Sequence, residues 1–267
     1  MRYTDNLATR LYFEDRGSGP ALLLVHGHPF DHTMWQPQID RFSLTHRVIA
    51  PDLRGYGITP LGATALTEIT GLGDFAEDLV DLLDDLGIEQ AVVAGLSMGG
   101  QIAMELHRRH PERVRGLVLA DTFPAAETEE GRAARNAMAD RLLKEGMQGY
   151  ADEVLDRMVA PYNTHAAPHV HRMMCATDPA GAAAALRGRA ERPDYRESLT
   201  TVAVPALVVV GRDDTYTPVE DAEEMHALLP DSTLAVIERA AHLPNLEQPE
   251  EFDAVLDSYL RSLVRLS

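Results

Sequence analysis

The sequence predicts a mostly parallel α/β sheet with helices on both of its faces. Short apolar runs rich in Val, Leu and Ile recur along the 267 residues, and segments of helical periodicity separate them. Consecutive apolar positions are typical of strands that are covered on both faces, as in a doubly wound parallel sheet. The predicted strands are 10–15, 21–26, 47–50, 91–96, 114–120, 206–210 and 233–238.

Three segments show the helical period clearly. Between residues 75 and 86, apolar side chains fall on one helix face and acidic ones on the other, and Gly87 follows where a C-cap glycine is expected. A second helix is predicted to begin just after Ser97 and to run to Arg109, and a third covers about 249–263. These helices alternate with the strands, as a doubly wound sheet requires.

One long stretch lacks strand-like runs. About eighty residues separate the strand that ends near Asp121 from the one that begins near Pro205. The stretch is rich in Ala, Arg and Met and is interrupted by several prolines. It therefore predicts a helical insertion in the connection between two strands.

The composition excludes several classes of protein. With 24 Lys and Arg against 42 Asp and Glu, the formal net charge is −18, which repels nucleic acids and anionic lipid surfaces. We therefore expect no nucleic-acid partner and no membrane partner. Apolar runs are far shorter than the roughly 20 residues that span a bilayer, and the first residues lack an apolar signal core, so we predict a cytoplasmic protein. The single cysteine, Cys175, excludes an intrachain disulfide.

The most informative motif is Gly95-Leu96-Ser97-Met98-Gly99, between a predicted strand and a predicted helix. It matches the Gly-x-Ser-x-Gly nucleophile elbow, in which a strained turn holds the serine above the edge of the sheet. A side chain at either glycine would collide with the neighbouring strand or helix. The amide of Met98 lies at the helix amino terminus, where it can donate to a developing oxyanion. Ser97 is the predicted nucleophile.

Other candidate residues follow predicted strands elsewhere in the chain. The loop 26–29 comes directly after an apolar strand, and the amide of His28 is the second predicted oxyanion donor. Asp213 and Asp214 lie at the carboxyl end of a buried strand, where open parallel sheets place their sites. His242 lies in the loop after the last predicted strand.

The order Ser97, Asp214, His242 is that of a serine, acid and histidine triad. In such a site the histidine takes the proton of the serine hydroxyl, and the ionised acid orients the ring and stabilises its charged form. Asp213 is the alternative to Asp214. Asp121, at the end of an earlier strand, is a possible substitute acid, or else a helix cap or loop anchor.

These motifs together resemble those of the α/β-hydrolase family over essentially the whole chain. Segment 26–29 resembles the family's oxyanion loop, 51–57 its loop after the next strand, and 241–249 its histidine loop. The elbow at 95–100, followed by 110–114, is similar to the branch that holds enol-lactone hydrolases, small-ester hydrolases and cofactor-free haloperoxidases.

The resemblance implies a hydrolase core formed by residues 1–122 and 199–267, with a helical cap at 123–198. It implies a serine hydrolase that uses no cofactor and no metal and cleaves a small carboxylic ester or lactone through an acyl-enzyme. The family spacing from Gly211 favours Asp214 over Asp213 as the acid.

Three other activities remain open on the same resemblance. Perhydrolysis with halide oxidation uses the same triad, and Pro29 resembles a proline of those relatives. Hydrolysis of carbon-carbon bonds in dienoic acids is disfavoured, because that branch usually carries Asn where this chain has Leu96. A small-molecule receptor with this fold and little turnover is the third.

Substrate-binding residues are less clearly marked. The ring of His28 is expected either to contact a carboxylate of the substrate or to have no role beyond its backbone. Trp35, the only tryptophan, is expected to pack in the core or to form part of the substrate wall. Arg54 is read either as an anion clamp or as a structural residue of its loop.

Overall fold

The fold was analysed in a computed structural model, which describes residues 2–4, 10–62 and 69–264. The strands are β1 (Arg2–Tyr3), β2 (Tyr12–Arg16), β3 (Ala21–Val25), β4 (Arg47–Pro51), β5 (Ala91–Leu96), β6 (Val114–Ala120), β7 (Ala206–Gly211) and β8 (Ser232–Ile237). The helices are α1 (Gln36–Phe42), α2 (Leu72–Asp85), α3 (Met98–Arg109), α4 (Glu129–Glu145), α5 (Gln148–Met158), α6 (Ala167–Ala176), α7 (Pro179–Ala190), α8 (Arg196–Leu199), α9 (Val219–Leu228), α10 (Pro244–Glu247) and α11 (Pro249–Val264).

The strands of the described residues form one sheet in the order β1-β2-β4-β3-β5-β6-β7-β8. At one edge, β1 pairs antiparallel with β2, and β2 pairs antiparallel with β4. All pairs among the strands β3 to β8 are parallel. The carboxyl ends of the parallel strands therefore meet at one edge of the sheet, where such folds place their sites.

Apolar side chains cover both faces of the sheet because successive strand residues point to opposite sides. In β3, Leu23 and Val25 belong to the core cluster that includes residues of α2, α3 and α9. Leu22 and Leu24 belong to a second cluster with residues of α1 and α11. Both faces are thus buried, which explains the unbroken apolar runs of the sequence.

The predicted elements agree with the structure to within a few residues. The strand predicted at 10–15 is β2, and the helix predicted over 75–86 is α2. Gly87 follows that helix with a φ of +64°, as a C-cap glycine does. The short edge strand β1 was not predicted, since two residues are too few to show a period.

Helices α4 to α8 lie between β6 and β7, in the stretch predicted to be a helical insertion. α4 packs against α7, with side chains that include Ala139, Leu142, Ala182 and Leu186 in a cluster of their own. Within the described ranges, no helix combines the length and apolarity that a bilayer span requires.

Candidate active site

The turn between β5 and α3 holds Ser97 in a strained conformation. Its φ is +57° and its ψ is −116°, outside the regions that L-residues favour. A Cβ atom at Gly95 would lie 2.1 Å from the carbonyl oxygen of Gly99, and one at Gly99 would lie 2.1 Å from that of Val25. Only glycine fits at these two positions, as the elbow motif predicts.

The loop after β3 approaches Ser97 closely. A Cβ atom at Gly27 would lie 3.2 Å from the Cβ atom of Ser97. The backbone amides of His28 and Met98, the predicted oxyanion donors, have no carbonyl acceptor among the described residues. Two free amides therefore flank the serine, on the loop and at the start of α3.

His242 and Asp214 form a buried hydrogen-bonded pair. The Nδ1 atom of His242 lies 2.7 Å from Oδ2 of Asp214. The carboxylate also accepts hydrogen bonds from the amides of Tyr216 at 2.7 Å and Thr217 at 3.2 Å, and from the Thr217 hydroxyl. Burial opposes ionisation of this carboxyl, but the His242 ring and these donors outweigh it and lower the pKa of Asp214. Asp214 is thus the carboxylate placed to orient the ring.

The two alternative acids lie in different surroundings. The carboxylate of Asp213 accepts a hydrogen bond from the Tyr162 hydroxyl at the surface. Asp121 is buried, with Oδ1 accepting from the amide of Gly211 at 2.9 Å. Burial and the neighbouring charge of Asp214 raise the pKa of Asp121 well above its usual value. Asp121 therefore favours the neutral form beside an ionised Asp214.

Ser97 and His242 line one cavity of about 180 Å³. Among the residues that the structure describes, no hydrogen bond joins the Ser97 hydroxyl to the His242 ring. Catalytic hydrogen bonds are often long before substrate binds and tighten in the complex. The cavity is smaller than the roughly 300–1,000 Å³ of drug-sized ligand sites, so it suits a small substrate.

Most of the cavity wall was not predicted from the sequence. The insertion supplies a large part of it, with the remainder from loops at the sheet edge. Besides Ser97 and His242, the lining residues are His28, Phe123, Arg135, Tyr150, Met158, Leu186, Arg189, Tyr216 and Thr217. A basic residue within an alanine-rich helix, as Arg189 is in α7, was a signal that the sequence offered.

His28, whose amide is a predicted oxyanion donor, is one of the residues that line the cavity. Its Nδ1 atom lies 2.8 Å from the Tyr56 hydroxyl. Its Nε2 atom is buried and has no hydrogen-bond partner within the described residues. Burial, followed by the charge of Arg189, lowers the pKa of His28 well below its usual value, so the ring is neutral.

Trp35 does not line the cavity, so of its two expected places the structure shows the core and not the substrate wall. The indole is fully buried in the apolar cluster below α1 and α11, with its ring centroid 6.0 Å from that of Phe252. Arg54 also lies outside the cavity wall, where it forms a buried ion pair with Asp78. Large apolar area keeps the first in the core, and a carboxylate partner holds the second in its loop.

Comparison with known proteins now decides the family. A model of the alpha/beta hydrolase family matches residues 22–255. The chain belongs to the α/β-hydrolase family. The predicted family and fold are thereby confirmed.

Relatives of this α/β-hydrolase act on ester bonds. It is 31% identical over 252 residues to 3-oxoadipate enol-lactonase 1 of Acinetobacter baylyi, covering 92% of this chain and 90% of the relative. It is 30% identical over 264 residues to the pimeloyl-[acyl-carrier protein] methyl ester esterase of Aliivibrio salmonicida, covering 96% and 97%. The prediction of a hydrolase acting on ester bonds is confirmed at this level of the family.

The solved structure of a thermophilic esterase from Thermogutta terrifontis, bound to malate, is also similar. It superposes with a TM-score of 0.93 at 34% identity, over 98% of this chain and 99% of that one. The likeness extends through the whole hydrolase, including the helical insertion.

Proposed function

We propose that this protein is a serine hydrolase that cleaves a small carboxylic ester or lactone through an acyl-enzyme. Ser97 is the nucleophile, His242 the general base and acid, and Asp214 the residue that orients the ring. The amides of His28 and Met98 form the oxyanion hole. No cofactor or metal takes part in this scheme.

One observation carries the proposal. The hydrogen bond between Nδ1 of His242 and Asp214 leaves Nε2 as the free nitrogen of a ring that shares a cavity with Ser97. An ionised carboxylate accepts from Nδ1–H, so Nε2 is the basic atom. A general base beside a strained serine at a sheet edge is the arrangement that acyl transfer needs.

Acylation begins when the Ser97 hydroxyl attacks the carbonyl carbon and gives its proton to Nε2 of His242. The carbonyl oxygen becomes an oxyanion, which the amides of His28 and Met98 stabilise. The imidazolium then protonates the leaving alkoxide, and the carbon–oxygen bond breaks. The product is an ester between the acyl group and Ser97. An ester substrate releases its alcohol at this step, whereas an opened lactone keeps the new hydroxyl group at the other end of the acyl chain.

Deacylation reverses these roles with water as nucleophile. His242 takes a proton from the water as it attacks the acyl carbon, and then returns that proton to the oxygen of Ser97. The carboxylic acid leaves and the hydroxyl is restored. The names of the relatives, esterases and an enol-lactonase, support an ester or lactone as substrate.

The test is a screen of p-nitrophenyl esters and lactones of graded size with the wild type, Ser97→Ala and Ser43→Ala. Ser43 lies at the end of α1, outside the cavity, and serves as the matched control. We expect Ser97→Ala to lower kcat by about 10⁴-fold or more while the protein stays folded, because the covalent route is lost. A fluorophosphonate probe should label the wild type and the control but not Ser97→Ala.

Retained turnover in Ser97→Ala would contradict the mechanism. A peroxide-dependent halogenation assay in acetate, run on the same three proteins, separates hydrolysis from perhydrolysis. Labelling without steady turnover on any ester would instead favour a receptor of this fold.

A further inference from the structure

Arg189 is a buried cation that faces the reaction cavity. It lies near the end of α7 with 7% of its surface exposed, and it lines the same cavity as Ser97 and His242. A guanidinium group is almost never buried unless an anion compensates it. The proposed hydrolysis of a neutral ester gives this residue no role.

No carboxylate of the described residues forms an ion pair with Arg189. Its Nε atom donates to Oε1 of Gln101 at 3.1 Å, a neutral acceptor. The charged groups that act on it most are the guanidinium groups of Arg135 and Arg192. Burial, reinforced by these like charges, lowers the pKa of Arg189 well below its usual value.

The neighbouring cations share a single carboxylate. Glu127 accepts hydrogen bonds from Arg135 and, at 2.8 Å, from Arg192. Arg135 also lines the cavity. Three guanidinium groups thus face one carboxylate here, although the whole chain carries a net charge of −18. The cavity wall is locally positive in a protein that is otherwise strongly negative.

Close backbone packing keeps Arg189 in place. A Cβ atom at Gly181 would lie 1.9 Å from the carbonyl oxygen of Gly55, and one at Gly188 would lie 1.7 Å from that of Thr70. Both ends of α7 therefore lie directly on the backbone of the hydrolase body. The helix cannot lift away to expose Arg189 without breaking these contacts.

His28 is a second polar residue of the cavity wall. Nε2 of His28 is buried without a hydrogen-bond partner among the described residues, and the ring is neutral. When the Tyr56 hydroxyl donates to Nδ1, Nε2 carries the proton and is a donor. Two residues of the cavity wall thus have unmet polar groups among the described residues: Arg189 has no anionic partner, and His28 has a neutral donor without an acceptor.

We propose that the substrate ester or lactone carries a carboxylate of its own, which Arg189 binds as an ion pair with His28 as a further hydrogen-bond donor. This rests on the proposed function and names the substrate class of that site. A planar guanidinium matches a carboxylate in a bidentate geometry, and the cavity of about 180 Å³ limits the acid to a small one. Arg189 is thus the specificity-determining residue.

The experiment compares two substrates that differ by one charge, p-nitrophenyl valerate and mono-p-nitrophenyl glutarate, at about 0.15 M ionic strength. The proteins are the wild type, Arg189→Gln, Arg189→Lys and Arg187→Gln. Arg187 lies on the same helix and pairs with Asp140 at the surface, so its variant removes an equal charge outside the cavity. The quantity measured is the ratio of kcat/KM for the charged ester to that for the neutral one.

We expect the wild type to favour the charged ester and Arg189→Gln to lower the ratio by about 100-fold, mainly through the charged ester, as loss of a buried ion-pair partner does. Arg189→Lys should retain part of the preference, and Arg187→Gln all of it. Arg189→Gln should also melt at the same temperature as the wild type or higher, since it removes an uncompensated buried charge.

A wild-type ratio at or below one would overturn the proposal, and so would an equal loss on both esters in Arg189→Gln, which indicates a structural role. If Arg189→Gln does not fold, inhibition of the wild type decides. Glutarate should compete at least ten-fold better than glutaramide, its neutral diamide, against the neutral ester, and equal inhibition would contradict the inference. Failure of the proposed function is distinguished by Ser97→Ala, which would then still hydrolyse the neutral ester.

Discussion

The sheet edge and the helical insertion hold their parts of the cavity in different ways. At the sheet edge, Asp214 accepts hydrogen bonds from His242, Tyr216 and Thr217, so its charge is compensated. In the insertion, Arg189 is buried, and within the described part of the chain its acceptor is the neutral amide of Gln101. On the proposed mechanism the sheet edge acts on any ester that fits, whereas the role proposed for Arg189 is to select a substrate that carries a carboxylate. Reaction type and substrate choice are thus divided between the two regions.

The largest expected effect tests which carboxyl group at the sheet edge is the acid of the proposed triad. Asp214→Asn should lower kcat by about 10⁴-fold, because the amide no longer holds the His242 ring in the tautomer with a basic Nε2. Asp121→Asn should stay within a few-fold of wild type, since burial and the charge of Asp214 raise the pKa of Asp121 and favour its neutral form. Steady-state kinetics on one neutral ester measures both.

The stability of the same pair checks the assignment further. A carboxyl whose pKa is raised on folding stabilises the protein fully only below its unfolded pKa, and that contribution is lost as pH rises towards the folded value. Asp121→Asn should therefore be as stable as the wild type at neutral pH, or more so. A collapse of kcat in Asp121→Asn with intact folding would instead make Asp121 the working acid.

The next effect compares a glycine of the body with one of the insertion. Gly99→Ala should lower the free energy of unfolding by about 3 kcal/mol, because its Cβ atom would lie 2.1 Å from the Val25 carbonyl oxygen and 2.7 Å from that of His26. Gly149→Ala, in α5, meets nothing nearer than an Arg141 nitrogen at 4.0 Å. It should stabilise the protein by roughly 0.5–1 kcal/mol through helix propensity.

Urea unfolding of the two glycine variants gives both free energies. If Gly99→Ala left the free energy of unfolding unchanged, the loop after β3 would be able to move away from the elbow. The predicted oxyanion donors would then have no rigid support.

The smallest expected effect is the loss of stability in acid when the Glu127 carboxylate of the insertion is protonated. Burial raises the pKa of Glu127, but hydrogen bonds from Arg135 and Arg192 outweigh it and lower that pKa to about 2. Its stabilising contribution is therefore present above the usual pKa of 4.5 and lost as pH falls towards 2. Glu127→Gln should lower Tm by about 2–4 °C at pH 6. This shift corresponds to a loss of ~1 kcal/mol, which is small because solvent screens the partly exposed carboxylate.

The pH dependence of Tm checks this assignment. The difference in Tm between wild type and Glu127→Gln should shrink from pH 5 to pH 2, while the exposed substitution Glu130→Gln serves as the control. A constant difference over that range would show that Glu127 acts by packing and not by charge.

Much of the sheet edge was predictable because its residues are neighbours of strands. A run of apolar residues indicates a buried strand, and the end of the run then locates the following turn to within a residue or two. The positions of Ser97, His242 and Asp214 after predicted strands therefore predict that they lie at one edge of the sheet. The choice of Asp214 over Asp213 followed from the resemblance to the family's spacing after Gly211, and the structure pairs Asp214 with the ring.

The cavity wall was not predictable in the same way. Trp35 was a candidate because it is unique, yet burial of its large ring places it in the core. Arg189 and Arg135 lie on different helices of the insertion, and helical periodicity says which face is buried but not what that face meets. Glycine contacts between α7 and the body, at Gly181 and Gly188, bring Arg189 to the cavity.

The sequence by itself determined the alternation of strands and helices, the strained turn at Ser97 and the order of the three triad candidates, because these depend on local backbone geometry and periodicity. Only the tertiary structure decided which charges are compensated. Compensation depends on distances between segments far apart in the chain, so it is the packing of α7 against the body that leaves Arg189 without a carboxylate partner among the described residues.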